Sequence, residues 1–401
     1  MQNIKFETIK KITETNFKLN ELKSISKLQS NSPPSVFIGS KLRYPQVNVG
    51  ILSPLEQQEN SWIYDDAKYW ANNNFEIQDV IKLRGSLLNS RFQSRVFDSR
   101  LNNKFVELAK QIAIASKPVD VEIELKNKLK TSNKQDKIST MHGMNAPLKK
   151  AKITSNTKVH QKVDKVINDE LKANQGLQIL YQNNIDEYSL SKILSVGVLG
   201  LKKNKRLVPT RWSITATDDS ITKNILKEIR DYKWIENHEL FFGEFLGNQY
   251  IIMLFPNVWS YELFELYVPG SSWNPSDVLK ASTDSEGFYG RTKYVNNCAG
   301  GYYASRLPIV QYLQSIKRQA SVLIIRIETP SYWAGLGVWA VRESVRKALK
   351  NKMAFNTKEE LINSAKQISK IKYKFDNSDI INQSWLLKNL NTQMRLWNWM
   401  D

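Results

Sequence analysis

Arginines stand among tyrosines, tryptophans and carboxylates at five places in the second half of this chain. The first is Arg206-Leu-Val-Pro-Thr-Arg-Trp-Ser-Ile-Thr-Ala-Thr-Asp-Asp219, which carries Arg211, Trp212, Asp218 and Asp219. The second is Asp284-Ser-Glu-Gly-Phe-Tyr-Gly-Arg-Thr-Lys-Tyr294, with Asp284, Glu286, Arg291 and Lys293. Tyr302, Tyr303 and Arg306 make a third; Arg318, Gln319, Arg326 and Glu328 a fourth; Arg342, Glu343 and Arg346 a fifth. Guanidinium forks bind phosphate bidentately, and aromatic faces stack on bases. Arg211, Trp212, Arg291, Lys293, Tyr302, Tyr303 and Arg306 are therefore the candidate nucleic-acid or ligand contacts. The same residue types also build buried Arg–Glu networks that only hold elements together, and for any single residue that reading has the greater weight. As a group they point to a ligand, because Gly287, Gly290, Gly300 and Gly301 interleave with them and let backbone approach closely. Arg211, Trp212, Glu286, Arg291, Tyr302 and Arg306 are expected to line one pocket. Were the chain an enzyme, Arg211, Asp218, Glu286, Arg291 and Glu343 would be its candidate catalytic residues.

Established enzyme signatures are missing. There is no phosphate-binding loop ending in Lys-Ser/Thr, no dinucleotide fingerprint and no Gly-x-Ser-x-Gly elbow. His142, His160 and His238 are not spaced as a helical metal pair, and the single Cys298 allows neither an intramolecular disulfide nor a multi-cysteine zinc module. No metal site and no cofactor are predicted. Mg²⁺ enters only under a nuclease alternative, in which Asp218, Asp219, Asp284 and Glu286 would supply oxygen ligands.

The end of the chain is sharper. It reads Gln393-Met-Arg-Leu-Trp-Asn-Trp-Met-Asp401. Gln393, Leu396, Trp399 and Met400 fit the pattern Gln-x-x-aliphatic-x-x-aromatic-hydrophobic of sliding-clamp ligands (the PIP box). A single 3₁₀ turn places residues three apart on one side, so Leu396, Trp399 and Met400 would meet an apolar pocket together. Met400 stands where a second aromatic is usual. Leu387, Leu390, Met394 and Trp397 keep helical spacing on another face and suit packing on the body.

The elements that must position these residues read as a mixed α/β (α+β) chain. The sheet is expected mainly in the second half, flanked by helices, behind a helix-rich first half. Residues 1–30 form a polar, Lys-rich lead. Short β-rich runs follow at 36–38 and 47–51, between Pro33, Pro34, Pro45 and Pro54. Ile77, Val80, Ile81, Leu87 and Leu88 mark one helix; Phe105, Leu108, Ile112 and Ala115 mark another. Residues 126–158 are polar, basic and aperiodic, and read as a long loop. Helical spacing returns at 159–173 and 190–194. Strands are predicted at 207–216, 240–245, 250–254, 259–268 and 322–327, and helices at 220–230, 302–318, 339–349 and 358–369.

Lys and Arg number 58 against 39 Asp and Glu, a net charge of +19. That surplus favours polyanionic partners through counterion release. Neither a secretory leader nor a membrane span is legible, so a cytoplasmic, nucleoid-associated protein is expected.

Taken together, these motifs resemble the archaeal Nre family of DNA repair proteins. The matching pieces are Pro34-Ser-Val-Phe-Ile-Gly39, Tyr44-Pro-Gln-Val-Asn-Val-Gly50, Leu207-Val-Pro-Thr-Arg-Trp-Ser-Ile-Thr-Ala216, Glu286-Gly-Phe-Tyr-Gly-Arg291, Gly300-Gly-Tyr-Tyr-Ala-Ser-Arg306, Arg318-Gln-Ala320, and Gly337-Val-Trp339 followed by Val341-Arg-Glu343. The resemblance implies a role in DNA damage repair, binding to the sliding clamp PCNA, and an N-terminal region (31–285) followed by a C-terminal one (286–385) and a clamp-binding tail (386–401). Some relatives carry a Cys-rich zinc module, which this sequence lacks. The leading expectation is a DNA-binding repair factor tethered to PCNA. The alternatives are a clamp-tethered DNA- or nucleotide-processing enzyme, for example a metal-dependent nuclease, and a non-catalytic adaptor.

Overall fold

The computed structural model describes residues 27–126 and 136–392. The chain forms two compact units, Met1–Ile221 with Ala334–Trp339, and Thr222–Trp333 with Ala340–Asp401.

The first unit holds strands β1 (Lys27–Ser32), β2 (Val36–Ile38), β3 (Gln46–Ser53), β4 (Leu88–Arg95), β5 (Val119–Leu125) and β6 (Asn145–Ile153). They form one sheet in the order β1-β5-β6-β4-β3-β2. Only the β4–β6 pairing is parallel. Its helices are α1 (Ala67–Asn72), α2 (Ile77–Gly85), α3 (Lys104–Ile114), α4 (Gln161–Asn168), α5 (Ala173–Gln182), α6 (Glu187–Ser195) and the start of α7 (Thr210–Ile229). β5 is the plainest case of period two: Val119, Val121, Ile123 and Leu125 are buried, while Asp120, Glu122 and Glu124 between them are not. Side-chain oxygens of Asn103 and Asp186 cap α3 and α6 by accepting the first free N–H groups.

The mixed α/β class holds, and a second sheet lies where expected, but the first half carries six strands of its own. Four of them were not read from the sequence, and three corrections follow. Leu88 opens β4, because α2 ends at Gly85. The expected loop at 126–158 contains β6, whose Ala146, Leu148 and Ala151 turn inward while Lys149, Lys150 and Lys152 do not. The register shifts by a bulge at Glu124/Leu125, which breaks the alternation of β6 and hides it from a period-two reading. Lastly, 207–216 is no strand. Pro209 ends an extended approach, its carbonyl accepts from the N–H groups of Trp212 and Ser213, and α7 runs on from Thr210. The buried residues Ser213, Thr217, Ile221, Ile225 and Ile229 follow helical spacing.

His142 gives this unit a pH dependence. Its Nδ1 donates to the Gly143 carbonyl at 3.0 Å, and its Nε2 accepts from the Asn89 amide at 3.0 Å. That is the neutral tautomer. Burial, opposed by the Gly143 hydrogen bond and aided by Arg84 and Arg91, lowers its pKa from 6.5 to about 4. Between those values the unfolded chain binds a proton that the folded one refuses. Stability is therefore complete above pH 6.5 and falls as pH drops toward 4. Because His142 is only partly buried as a residue, the loss should stay at about 2 kcal/mol. Thermal midpoints of wild type and His142→Gln at pH 7 and 4.5 check this; equal losses in both would refute it.

The second unit is a sheet of β7 (His238–Phe245), β8 (Asn248–Phe255), β9 (Ser260–Tyr267), β10 (Lys280–Glu286), β11 (Ser321–Glu328) and β12 (Lys352–Phe355), in the order β10-β9-β11-β8-β7-β12. Its other helices are α8 (Gly301–Ser315), α9 (Val338–Ala348), α10 (Lys358–Lys372), α11 (Ser378–Gln383) and α12 (Trp385–Thr392). The central strand β11 is buried along its whole length, as its apolar run predicted. Leu323, Ile325 and Ile327 face one way, into a core with Met253, Phe264, Leu361, Ala365, Leu386 and Leu387. Pro308 sits inside α8, beyond its first turn.

Candidate functional site

The opposite face of the second sheet sets polar clusters among apolar side chains, and strand register builds the first of them. Arg326 on β11 lies opposite Tyr250 on β8 and Glu265 on β9, and Glu265 lies opposite Ser282 on β10. The Arg326 guanidinium donates to Glu265, to Glu328 at 2.9 Å and to Asn248 Oδ1 at 2.6 Å. Tyr267 donates to Glu265 at 3.0 Å. Burial opposes the arginine's charge, but Tyr250, Glu265 and Glu328 outweigh it and hold the guanidinium protonated.

At the other end of β9 and β10 sits a second cluster. Glu286 is ion-paired with Arg306 of α8 and accepts from Trp259 Nε1 at 3.1 Å. The Arg306 guanidinium lies 5.2 Å from the Tyr302 ring centroid and 5.4 Å from that of Tyr303. Tyr261 stacks on Trp259 and donates from its hydroxyl to the Tyr302 carbonyl at 3.3 Å. The double glycine explains how α8 comes so close. Gly300 takes φ +87°, and a Cβ on Gly301 would stand 2.1 Å from a Glu265 carboxylate oxygen.

Of the six residues expected to share a pocket, Glu286, Tyr302 and Arg306 do converge. They are 3, 0 and 1% exposed, so they meet in the interior, as a network holding β10, β9 and α8 together. Arg291 is beside them, donating to the Ser285 carbonyl at 2.8 Å and lying 3.8 Å from Asp284. Lys293 is exposed. Asp284 accepts from the N–H groups of Asn297 and Cys298. Glu343 pairs with Arg346 one turn on, at 2.6 Å. Arg211 and Trp212 belong to the first unit instead, near the start of α7. Arg211 reaches Asp136 at 3.5 Å and Trp212 is exposed; Asp218 is buried on the same helix. Gln393, Leu396, Trp399 and Met400 lie outside the described residues.

Chemically, the buried clusters favour fixed charge over proton transfer. Burial pushes the Cys298 thiol well up, and burial together with Glu286 does the same for the Tyr302 phenol, so both stay neutral. Among the described residues, no group of three His, Cys, Asp or Glu side chains is placed to hold a metal ion. Trp259, Tyr261 and Glu265 were missed by the sequence reading; the register of β9, invisible in one dimension, was the signal needed for Tyr261 and Glu265.

Two family models account for most of the chain: "Archaeal Nre, N-terminal" matches residues 5–274 and "Archaeal Nre, C-terminal" residues 286–399. The chain belongs to the archaeal Nre family. This Nre chain is 38% identical over 327 residues to "DNA repair protein NreA" of Haloferax volcanii, covering 80% of this chain and 78% of the relative. It is 39% identical over 335 residues to "DNA repair protein NreA" of Archaeoglobus fulgidus, 83% of each, and 34% identical over 372 residues to that organism's "DNA repair protein NreB", 92% of this chain and 91% of the relative. No solved structure matches it. The two Nre models meet between residues 274 and 286, whereas the compact units part at 221/222, within α7. No helix among the described residues is long and apolar enough to cross a membrane.

Proposed function

We propose that this chain is a DNA damage repair factor that binds DNA and is recruited to the PCNA sliding clamp by Gln393, Leu396, Trp399 and Met400. The observation that carries the reading is the C-terminal motif, whose first residue follows directly on α12. That helix has a firm anchor. The buried Glu262 carboxylate accepts from Ser384 Oγ at 2.5 Å, from Leu386 N at 3.0 Å and from Trp385 N at 3.1 Å. Leu386 and Leu387 enter the core beneath. A terminal segment beyond such an anchor reaches a partner while its own domain stays folded. The net charge of +19 and the names of the relatives support the DNA side of the reading.

Trp399→Ala is expected to weaken clamp binding at least about tenfold, since full burial of such a ring contributes roughly 1.5–3 kcal/mol before ordering costs. Thermal stability and DNA binding should hold. Leu386→Ala should do the reverse, lowering stability by about 2–5 kcal/mol with clamp affinity kept. Calorimetry of purified clamp with a peptide of residues 388–401, and with the full-length variants, tests this. A peptide that fails to bind, with a Trp399→Ala chain that unfolds early, would assign the tail to packing alone.

A further inference from the structure

The first unit exposes an aromatic pair amid cations that none of the readings above uses. Tyr44 is 64% exposed and Phe97 37%. Their rings stand 6.2 Å apart, nearly perpendicular, and the Arg100 guanidinium lies 5.1 Å from the Phe97 centroid. Three segments build the patch: the turn before β3, the 3₁₀ turn Val96–Arg100, and the loop at 201–207. Main-chain bonds tie them together. Val96 N–H donates to the Pro45 carbonyl at 2.9 Å and Leu207 N–H to the Val96 carbonyl at 2.8 Å. Arg100 Nε donates to the Lys205 carbonyl at 2.8 Å.

Charge on these segments is nearly all of one sign. Arg43, Arg95 and Arg100 are exposed on the first two, and Lys202, Lys203 and Arg206 on the third. Asp98 is the acid of the 3₁₀ turn, and its carboxylate is engaged by Ser94 Oγ at 2.8 Å and Arg95 N–H at 2.9 Å. A large ring left in water adds little to folding, and several such groups together mark a recognition surface. The cations select a polyanion. The rings select its structure, because a duplex has already stacked its bases, whereas a single strand offers free faces.

We propose that this patch binds single-stranded DNA, with phosphates along the Arg and Lys side chains and bases stacked on Tyr44 and Phe97. The proposal rests on the reading that the chain binds DNA, and it adds the place and the strandedness. The test is fluorescence anisotropy of the full chain with a labelled oligothymidylate and with a hairpin duplex, each at two salt concentrations. Tyr44→Ala should weaken oligothymidylate binding roughly fivefold to hundredfold, the loss of one stacked base. Its hairpin affinity and thermal midpoint should stay as in wild type, and Tyr44→Phe should restore the strand. Lys202→Glu with Lys203→Glu should flatten the salt dependence by roughly 0.7 in log–log slope for each phosphate that is no longer neutralised. If wild type binds and Tyr44→Ala binds the strand equally well, the patch is wrong while DNA binding stands. If wild type binds neither oligonucleotide even at low salt, both fall. Displacement of the strand by polyglutamate at equal concentration would assign the patch to an acidic protein segment and overturn the proposal.

Discussion

Arg326→Met is expected to lower the stability of the second unit by about 3–5 kcal/mol, the usual cost of leaving a buried charge without its partner. Here two carboxylates are left. Glu265 and Glu328 are both buried, and both bond to this one guanidinium. Methionine replaces much of the arginine's apolar stem, so the loss reads the charges rather than a cavity. Asn248 also loses the donors that reach its Oδ1 at 2.6 and 3.0 Å. Urea unfolding followed by tryptophan fluorescence measures the effect. Adding Glu265→Gln and Glu328→Gln to Arg326→Met should recover part of the loss, since the uncompensated charges are then gone. A loss below about 1 kcal/mol for Arg326→Met would mean that the cluster is solvated and not a sealed network.

Gly337→Ala should cost the first unit roughly 2–4 kcal/mol, from strain at an unfavourable φ combined with a backbone clash. Gly337 takes φ +89°. A Cβ there would stand 2.8 Å from the Ile138 carbonyl oxygen and 2.9 Å from the Ser139 carbonyl carbon and the Thr140 nitrogen. All three are main-chain atoms, so no side chain can swing aside. The neighbouring Val338 N–H donates to the same Ile138 carbonyl at 3.0 Å, and pushing the two stretches of chain apart would break that bond. Hydrogen exchange gives the local readout: the Val338 amide should lose protection in Gly337→Ala while amides of β8 and β11 keep theirs. Unchanged protection and an unchanged unfolding midpoint would show that residues 138–140 yield freely.

Elements that repeat one period within themselves were legible in the sequence. The apolar run of β11, the helices α3, α8, α9 and α10, and the strands β7 and β8 appear close to where pattern placed them, because each carries its burial signal locally. Charge, the single cysteine, the clamp-like ending and the ordered family motifs were legible for the same reason: they need no third dimension. Tertiary structure decided the rest. α7 begins in a β-branched, alternating stretch that reads as a strand, and only the Pro209 carbonyl and the packing of Ser213, Thr217 and Ile221 make it helical. β6 is lysine-rich and bulged, and it is a strand because β5 and β4 lie on either side to pair with it. The same holds for the site. Arg306, Glu286 and Tyr302 were singled out by residue type, but the register of β10 and the close approach of α8 turned them inward and made an internal ion network of them. It was likewise main-chain pairing, of Val96 with Pro45 and of Leu207 with Val96, that put Tyr44, Phe97 and the 201–207 loop side by side. An arrangement of that kind is set by which backbone groups must be satisfied together, and no local pattern encodes it.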